Sequence, residues 1–580
     1  MVATRKLAWV ALIAVILVSA GIAYGAYVLA GYSWDQVVSY QTPFGDYKRP
    51  WVGTMSDSAQ QSAEETQAPR VALVIVDGLG ADAAADMGAL STLRGYGSDM
   101  VAITPQPSLS YPTWTTILTG APPDISGVTT NWFDGAIPVE SILDVALAQG
   151  MQTVVVGPDS FETLYLDGWM GRKNLGTYFE PWSDDHYMSS GYVDEAIALA
   201  EEYEPSLLVL HLPDIDEIAH QHGKDSDEFR DVVSRVDSDI SRFVESLQDD
   251  RTTFVITADH GHIPPGGHGG WESEVTRVSA LFVGRGVASQ RNAEMKQVDI
   301  APTVVGLLGL PVPRHAAGQV REDILLGDSA AITAGEAHYR VFAENYLALT
   351  NGETYELGGA RTYDDVTAVV TAAQDERLAT DRAARLPEAA VLALFALAAL
   401  ATIGLFSWRA LVAALSGVVT YYLVYNGLYF IVHGHQWSLS AFNTEDLVEA
   451  FFNLRMIEAA VAGLIAVVVA GVVYPLLRNR PKGPRRTYLA GWLTLGPATV
   501  LAIQATIGIQ VAWFFWAWGA DVTWRLPDLK WGFKYDLDLI QMAALGAVAL
   551  LAPLATYLVG RYHPRVRRAE AERIAAAETN

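Results

Sequence analysis

The chain has 580 residues, is 51% hydrophobic, contains no cysteine and carries a formal net charge of −26. Its length exceeds what a single hydrophobic core usually supports, so we expect more than one structural unit. The lack of cysteine excludes disulfides, thiolate metal sites and a catalytic cysteine, and the acidic balance argues against nucleic acid as a partner.

The first predicted element is a membrane span. Residues 7–30 carry no charge and are long enough to cross ~30 Å of hydrocarbon. Arg5 and Lys6 precede this run, which predicts that the N-terminus stays in the cytoplasm. A cleaved signal peptide is the alternative, but the run is longer than a typical signal-peptide core. We therefore interpret residues 1–31 as an N-terminal transmembrane anchor.

Residues 32–386 are predicted to form an extracellular α/β domain. They hold 53 of the 65 acidic residues and only 22 of the 39 basic ones. Short runs rich in Val, Ile and Leu predict buried strands at 71–76, 153–156, 206–212, 252–257 and 279–284. Apolar side chains at helical spacing predict a helix over 226–247. This alternation is typical of a parallel sheet covered by helices, in which functional residues collect where strands end.

Acidic and histidine side chains follow three of these strands. They are Asp77 after the first, Asp214, Asp216, His220 and His222 after the third, and Asp259, His260 and His268 after the fourth. Carboxylates and imidazoles are costly to bury without a partner, and together they suit a divalent metal such as Zn, with Mn or Fe as alternatives. Ser110 stands just before Pro112 at a predicted helix start, where it is either an ordinary cap or a nucleophile.

Residues 387–580 are predicted to form a membrane domain of about five spans with a cytoplasmic tail. The spans are placed near 388–408, 410–433, 456–477, 490–518 and 540–560. Basic clusters at 478–486 and 561–568 both fall in the cytoplasm if the first span runs from inside to outside, which puts 32–386 outside and both termini inside. The segment 434–455 looks amphipathic and is expected to lie on the outer membrane surface. Glu458 is either functional or paired with Arg455.

Five motifs in the extracellular domain carry a family resemblance. They are Asp77-Gly78, Ser110-Tyr111-Pro112, Asp216 with His220 four residues later, Asp259-His260-Gly261, and Gly266-Gly267-His268-Gly269-Gly270. In this order they resemble the alkaline phosphatase superfamily, and they are most similar to the nucleotide pyrophosphatase/phosphodiesterases and the glycolipid-anchor (GPI) ethanolamine-phosphate transferases. The resemblance covers about residues 71–325. It implies an alkaline-phosphatase-like mixed sheet sandwiched by helices.

The resemblance also implies a two-metal site. One ion would be held by Asp216, His220 and His268. The other would be held by Asp77, Asp259 and His260, with Ser110 bound to it as the nucleophile and Asn131 contacting the phosphate. The family's usual threonine is Ser110 here, which is chemically compatible. Asp214 and His222 are rival ligands, and the family's spacing favours Asp216 with His220.

The implied function is that of a membrane-bound phosphodiesterase or phosphotransferase with two divalent ions, Zn before Mn, and a phosphoserine intermediate. Residues 95–171 contain no Lys or Arg, which favours a monoanionic phosphodiester over a monoester. Six spans suggest a lipid or lipid-linked substrate. The resemblance to the ethanolamine-phosphate transferases implies transfer of ethanolamine phosphate to a lipid-linked glycan, which is the first hypothesis. A phospholipid or nucleotide phosphodiesterase/pyrophosphatase is the alternative. A non-catalytic scaffold or transporter with a phosphatase-like ectodomain is the alternative of another class.

Overall fold

The computed structural model describes residues 2–45, 69–183, 187–327, 329–352, 355–477 and 485–578. Among these residues, eight strands form one mixed sheet in the order β4-β3-β5-β1-β6-β7-β2-β8. The strands are β1 (Arg70–Val76), β2 (Ser98–Ile103), β3 (Thr153–Pro158), β4 (Leu175–Glu180), β5 (Leu207–Leu212), β6 (Thr252–Ala258), β7 (Arg277–Gly284) and β8 (Arg291–Lys296).

The α-helices divide between this sheet domain and a helical bundle. Those that begin before residue 310 are α1 (Val2–Val38), α2 (Ala81–Ala85), α3 (Gly88–Leu93), α4 (Ser110–Thr119), α5 (Pro123–Ser126), α6 (Ile142–Ala148), α7 (Ser160–Tyr165), α8 (Ser189–Tyr203), α9 (Asp214–His222), α10 (Asp227–Leu247), α11 (Ser273–Thr276) and α12 (Ile300–Leu308). Those that follow are α13 (Ser329–Asn351), α14 (Tyr363–Phe406), α15 (Trp408–Asn426), α16 (Val448–Leu476), α17 (Arg485–Trp518), α18 (Leu529–Tyr562) and α19 (Pro564–Glu578).

The centre of the sheet is buried on both faces. Every residue of β1, β3, β5 and β6 is buried, because these strands are apolar throughout and helices such as α8 and α12 pack against them. The mixed sheet with helices confirms the predicted fold class. The prediction of parallel strands was wrong for β7, which runs antiparallel to both β6 and β2. An apolar run indicates burial, but the direction of a strand depends on its connections.

Six helices are long and apolar enough to cross a membrane. They span Trp9–Val38, Tyr363–Phe406, Trp408–Val432, Val448–Leu476, Gly491–Trp518 and Leu529–Tyr562, and each contains or overlaps one predicted span. The helices contact one another through small residues such as Gly463, Gly496 and Gly546, at which an added Cβ would lie within 3 Å of the neighbouring helix. The chain is therefore built as a multi-pass membrane protein. Part of the basic cluster at 478–486 lies outside the described residues.

The sheet domain and the bundle are joined by continuous elements. Helix α14 starts beside the sheet domain, where Val366 packs with Tyr339 and Phe342 of α13, and continues through the predicted domain boundary at 386 to the bundle. Helix α1 likewise runs on to Val38, past the predicted boundary at residue 31. The division of the chain into domains stays a prediction.

Glu458 is paired at the end of the bundle that faces the sheet domain. Its Oε1 lies 2.7 Å from His433 Nε2 and 3.2 Å from Nη2 of the buried Arg455. The pairing explains how an acidic residue is accommodated in an apolar helix.

Candidate metal centre

The candidate site forms where three adjacent parallel strands end. Strand β1 lies between β5 and β6, and Val76 is in register with both Leu212 and Ala258. The residues that follow these strands therefore emerge at the same level, and Asp77 and Asp259 are both fully buried there. The parallel pairing of β5, β1 and β6 is what brings these distant segments of the chain together.

Helix α9 carries the second part of the site. It begins at Asp214, two residues after β5 ends, and Asp216 and His220 lie one turn apart on it. Asp216 Oδ2 is 3.4 Å from His220 Nε2, and His220 Nε2 is 3.2 Å from Nε2 of His268. Asp216, His220 and His268 form a group whose candidate ligand atoms all lie within 4.8 Å of one another. This is the trio that the resemblance implies for one ion.

Asp77, Asp259 and His260 form a second such group. His260 Nε2 lies 3.5 Å from Asp77 Oδ1 and 3.3 Å from Asp259 Oδ2. The Oγ of Ser110 lies 3.4 Å from the same His260 nitrogen. The two groups are adjacent, since the rings of His260 and His268 stack with their centroids 3.7 Å apart.

Ser110 is the first residue of α4, and the N-cap is Leu109 rather than the serine itself. Its side chain is nearly buried, and the backbone N–H of the following Tyr111 donates to Oδ1 of Asn131 at 2.9 Å. With Oδ1 engaged, the amide Nδ2 of Asn131 is the group that can donate to a ligand beside Ser110. The start of a helix also favours an anion electrostatically.

The rival ligands lie apart from both groups. The carboxylate of Asp214 accepts hydrogen bonds from the backbone N–H groups of Met188 at 2.8 Å and Ser189 at 2.7 Å, at the start of α8. His222 is exposed at the end of α9. Neither residue belongs to a candidate metal group among the described residues.

Two histidines that sequence reasoning passed over also contact the site. His262 Nε2 lies 3.1 Å from Asp216 Oδ1, and His262 forms a third candidate group with Asp216 and His260. His211 Nε2 lies 3.0 Å from Asp77 Oδ2. Two sequence features could have indicated these histidines. His262 stands two residues after His260, and His211 is a polar residue within an otherwise apolar strand.

The residues present fit a divalent metal, because the site leaves polar atoms without partners. Buried and without a hydrogen bond among the described residues are Asp77 Oδ1, Asp216 Oδ1, Asp259 Oδ2, His260 Nδ1 and His262 Nε2. Buried carboxylate oxygens that face each other without donors are strongly unfavourable unless a cation lies between them. Oxygen and imidazole ligands at this density are those that zinc binds.

The electrostatics of the site point to the same conclusion. Burial raises the pKa of Asp77 well above its ordinary value, and the neighbouring Asp259 and Asp216 raise it further. Burial also raises the pKa of Asp259 to about 7. Burial lowers the pKa of His260 to about 3, so this imidazole is neutral, which is the form that ligates a metal. Burial also lowers the pKa of His220, but the neighbouring Asp216 outweighs it and the pKa is raised to about 9, so a positive charge from a protonated histidine is lacking beside Asp77 and Asp259 rather than beside Asp216.

Comparison with known proteins finds a family model that covers most of the candidate residues. The family model of the type I phosphodiesterase / nucleotide pyrophosphatase family matches residues 71–140 and 177–266. The matched segments contain Asp77, Ser110 and Asn131 in the first and the ligand candidates from Asp216 to His262 in the second. His268 follows two residues after the second segment ends.

The curated relatives include GPI ethanolamine phosphate transferases. The chain is 26% identical over 221 residues to the catalytic subunit of GPI ethanolamine phosphate transferase 3 from Mus musculus, covering 37% of this chain and 20% of the relative. It is 23% identical over 347 residues to GPI ethanolamine phosphate transferase 1 from Saccharomyces cerevisiae, covering 50% of this chain and 37% of the relative. The matches confirm the predicted resemblance, and the chain spans well under half the length of these relatives.

A solved structure of murine ectonucleotide pyrophosphatase/phosphodiesterase 5 aligns with a TM-score of 0.35 and 13% identity, covering 42% of this chain and 96% of that one.

The two candidate groups can be tested by metal analysis. We expect Asp259→Ala and His260→Ala in the purified full-length protein to lose at least half of the bound zinc, because each removes a candidate ligand from a buried cluster. Inductively coupled plasma mass spectrometry measures the zinc per chain. His222→Ala is the matched control and should keep the wild-type content. A loss of zinc in His222→Ala equal to that in His260→Ala would contradict the assignment.

Proposed function

We propose that the protein is a metal-dependent phosphotransferase that moves a phosphodiester-linked head group, of the ethanolamine-phosphate type, onto a lipid-linked glycan at the outer face of the membrane. The observation that carries this proposal is the position of Ser110 Oγ, 3.4 Å from His260 at the edge of two adjoining metal groups. The names of the curated relatives support the transferred group and the acceptor class.

Each candidate residue has a separate role in the proposed reaction. Asp216, His220 and His268 would hold one divalent ion, and Asp77, Asp259 and His260 the other, with Ser110 beside the second. Two such ions, zinc as the first choice and manganese as the alternative, would supply the positive charge that activates a hydroxyl and stabilises the oxygens of an in-line displacement. Asn131 would donate from Nδ2 to a non-bridging phosphate oxygen.

The transfer proceeds in two displacements. Ser110 Oγ loses its proton and forms a bond to phosphorus, while the P–O bond to the donor alcohol breaks and that alcohol leaves with a proton. Ser110 then carries the head group as a phosphoserine ester. A hydroxyl of the acceptor attacks the same phosphorus, the bond to Ser110 Oγ breaks, and the serine regains a proton. Water in place of the acceptor would make the reaction a hydrolysis.

The charge of the site supports a phosphodiester as substrate. A phosphate monoester is a dianion, and sites that bind one usually provide a guanidinium. In the described part of the chain, no Lys or Arg forms an ion pair or hydrogen bond with Asp77, Asp216 or Asp259. The positive charge of two divalent ions would be balanced by these three carboxylates and the deprotonated Ser110 Oγ. The site would then carry no excess positive charge, which favours a monoanionic substrate over a dianionic one.

A cavity between the sheet domain and the bundle supports a membrane-embedded substrate. It has a volume of about 840 Å³ and is lined by Pro105 and Gln106 of the sheet domain and by Trp518 and Phe533 of the bundle. The two sheet-domain residues belong to the segment that leads into α4 and Ser110. The cavity offers room for the polar part of a lipid whose chains remain in the bilayer.

The arrangement of the helices supports the proposed topology, with the sheet domain outside and both termini in the cytoplasm. Arg409 Nε donates to the carbonyl of Leu477 at 3.0 Å, and Arg565 Nη1 donates to that of Leu476 at 3.4 Å. These arginines therefore gather at one end of the bundle, while Trp34 packs on Trp132 of the sheet domain at the other end. Basic residues concentrate on the cytoplasmic side of membrane proteins.

A phosphodiesterase that uses water as acceptor is the second candidate, and the family model that matches residues 71–266 in two segments favours it. A non-catalytic scaffold is disfavoured by the complete set of candidate ligands around Ser110.

The transfer reaction can be tested in liposomes. We expect the reconstituted full-length protein to move label from phosphatidylethanolamine carrying ¹⁴C-ethanolamine into a glycolipid fraction from the source membranes, because an acceptor hydroxyl replaces Ser110 at phosphorus. Thin-layer chromatography of the lipid phase measures the transfer. Label released only as water-soluble phosphoethanolamine would identify a hydrolase instead, and no movement of label with zinc bound would reject both.

The nucleophile can be tested separately. Ser110→Ala should lower the turnover of bis-p-nitrophenyl phosphate by at least about 1000-fold, because it removes the oxygen that would bond to phosphorus. The bound zinc should stay near the wild-type content, since the histidine and aspartate ligands remain. Ser234→Ala, which changes an exposed serine of α10, is the matched control. Wild-type turnover in Ser110→Ala would remove the assignment.

The preference for diesters follows from the lack of a guanidinium. We expect kcat/KM for bis-p-nitrophenyl phosphate to exceed that for p-nitrophenyl phosphate by at least about tenfold, since the dianionic monoester lacks a compensating cation. Release of p-nitrophenol at equal enzyme and metal concentrations measures both values. A preference for the monoester would contradict the proposed substrate class.

A further inference from the structure

A segment of the membrane domain reaches the candidate metal centre. Residues 434–447, here called the strap, link the π-helical turn Gly427–Val432 to α16 and contain two short 3₁₀ turns, Leu439–Phe442 and Glu445–Leu447. The sequence predicts that residues 434–455, which include the strap, lie on the outer membrane surface, and this stays a prediction. In the structure the polar groups of the strap form hydrogen bonds with the sheet domain.

The strap is hydrogen-bonded to the loop that follows His268. The hydroxyls of Ser438 and Ser440 each donate to Oε2 of the buried Glu272 at 3.0 Å, and the backbone N–H of Gly270 donates to Ser440 Oγ at 3.1 Å. Trp271 Nε1 donates to the carbonyl of Trp437 at 2.9 Å. A buried carboxylate that accepts two hydroxyl groups from another part of the molecule fixes the contact between the two parts.

The glycines on either side of His268 allow the strap to approach the backbone closely. A Cβ added at Gly270 would lie 1.8 Å from Ser438 Oγ, and one added at Gly267 would lie 2.0 Å from the carbonyl oxygen of Ser440. Any larger residue at these positions would displace the strap. The glycine-rich segment therefore carries the candidate ligand His268 and also permits close contact with the membrane domain.

Asn443 of the strap holds the ligand candidate His220 at two points. Its Oδ1 lies 3.2 Å from His220 Nδ1, and its Nδ2 donates to the His220 carbonyl at 3.0 Å. Asn443 has φ and ψ of 59° and −66°, and it is the central residue of a γ-turn in which the N–H of Thr444 donates to the carbonyl of Phe442 at 2.7 Å. In this uncommon backbone conformation the side chain makes both contacts with His220.

These contacts set the orientation of the imidazole. His220 Nε2 faces Asp216 and His268, so Nε2 is the nitrogen that would bind an ion, and Nδ1 then carries the proton. A ligating histidine is usually held by an acceptor at its other nitrogen, which fixes the tautomer and the ring. Asn443 Oδ1 is that acceptor.

The membrane helices hold the strap in place. The ring of Phe442 packs near Phe451 of α16 and Phe533 of α18, with centroids 6.2 and 6.5 Å apart, and Tyr429 donates its hydroxyl proton to the carbonyl of Gln436 at 2.7 Å. The position of Asn443 is thereby tied to the bundle.

We infer that the membrane domain completes the metal centre, with Asn443 as a positioning residue that orients His220 for the ion held by Asp216, His220 and His268. This inference rests on the proposed two-metal function. It assigns to the bundle a part in metal affinity in addition to any part in lipid binding.

The test uses full-length protein in detergent, dialysed against a series of zinc buffers. Asn443→Gly removes both hydrogen bonds and suits the positive φ, so it should fold. We expect one of two zinc equivalents to require about 10–100-fold more free zinc, while the other is unchanged. Asn443→Asp keeps an acceptor for His220 Nδ1 and should give a midpoint closer to that of the wild type.

Thr444→Ala is the matched control on the strap, because the hydrogen bonds of Thr444 in the described part of the chain are all made by its backbone. Its zinc midpoints should equal those of the wild type. Unchanged midpoints in Asn443→Gly, or a shift as large in Thr444→Ala, would overturn the inference while the proposed function stands. A wild-type protein that binds no zinc would instead overturn the proposed function.

Discussion

Three buried carboxylates that repel one another are the constraint around which the sheet domain is organised. Asp77 and Asp259 follow β1 and β6, and Asp216 lies on the helix after β5, so the parallel pairing of these strands forces the three together. The protein offers them few donors. Asp259 Oδ1 accepts from the backbone N–H groups of Gly78 and His260 at 3.0 and 2.8 Å, while its other oxygen has no partner among the described residues. Burial and this repulsion raise the pKa values of Asp77 and Asp259, and positive charge bound between the three carboxylates would stabilise them in the ionised form.

The centre of the sheet could be predicted from the sequence, and its edges could not. Strands buried on both faces are apolar throughout, which is why β1, β3, β5 and β6 were predicted within two residues of their ends. Strand β2 alternates buried and half-buried residues, and β8 is mostly polar, so neither gives a continuous apolar run. The antiparallel course of β7 depends on contacts with β6 and β2 that no local pattern encodes.

The candidate metal ligands could be predicted because they occur in short sequence motifs. The residues that contact these ligands could not be predicted, because no motif indicates their contacts. Asp216 and His220 are one helical turn apart, and Asp259 and His260 are adjacent, so short motifs reveal them. His211 lies within a strand, and its contact with Asp77 depends on the register of β5 against β1. The contact of Asn443 with His220 joins residues 223 positions apart, and no periodicity or motif indicates it.

The strap has a consequence for the order in which the protein matures. It follows the third apolar helix, Trp408–Val432, and every candidate ligand from Asp77 to His268 precedes it in the chain. Synthesis on the ribosome therefore delivers a sheet domain with all its ligands before the side chain that clamps His220 exists. A polypeptide that ended at residue 433 would possess the whole ligand set and still lack that clamp. The contacts between Asn443 and His220 can therefore form only after residue 443 has been synthesised.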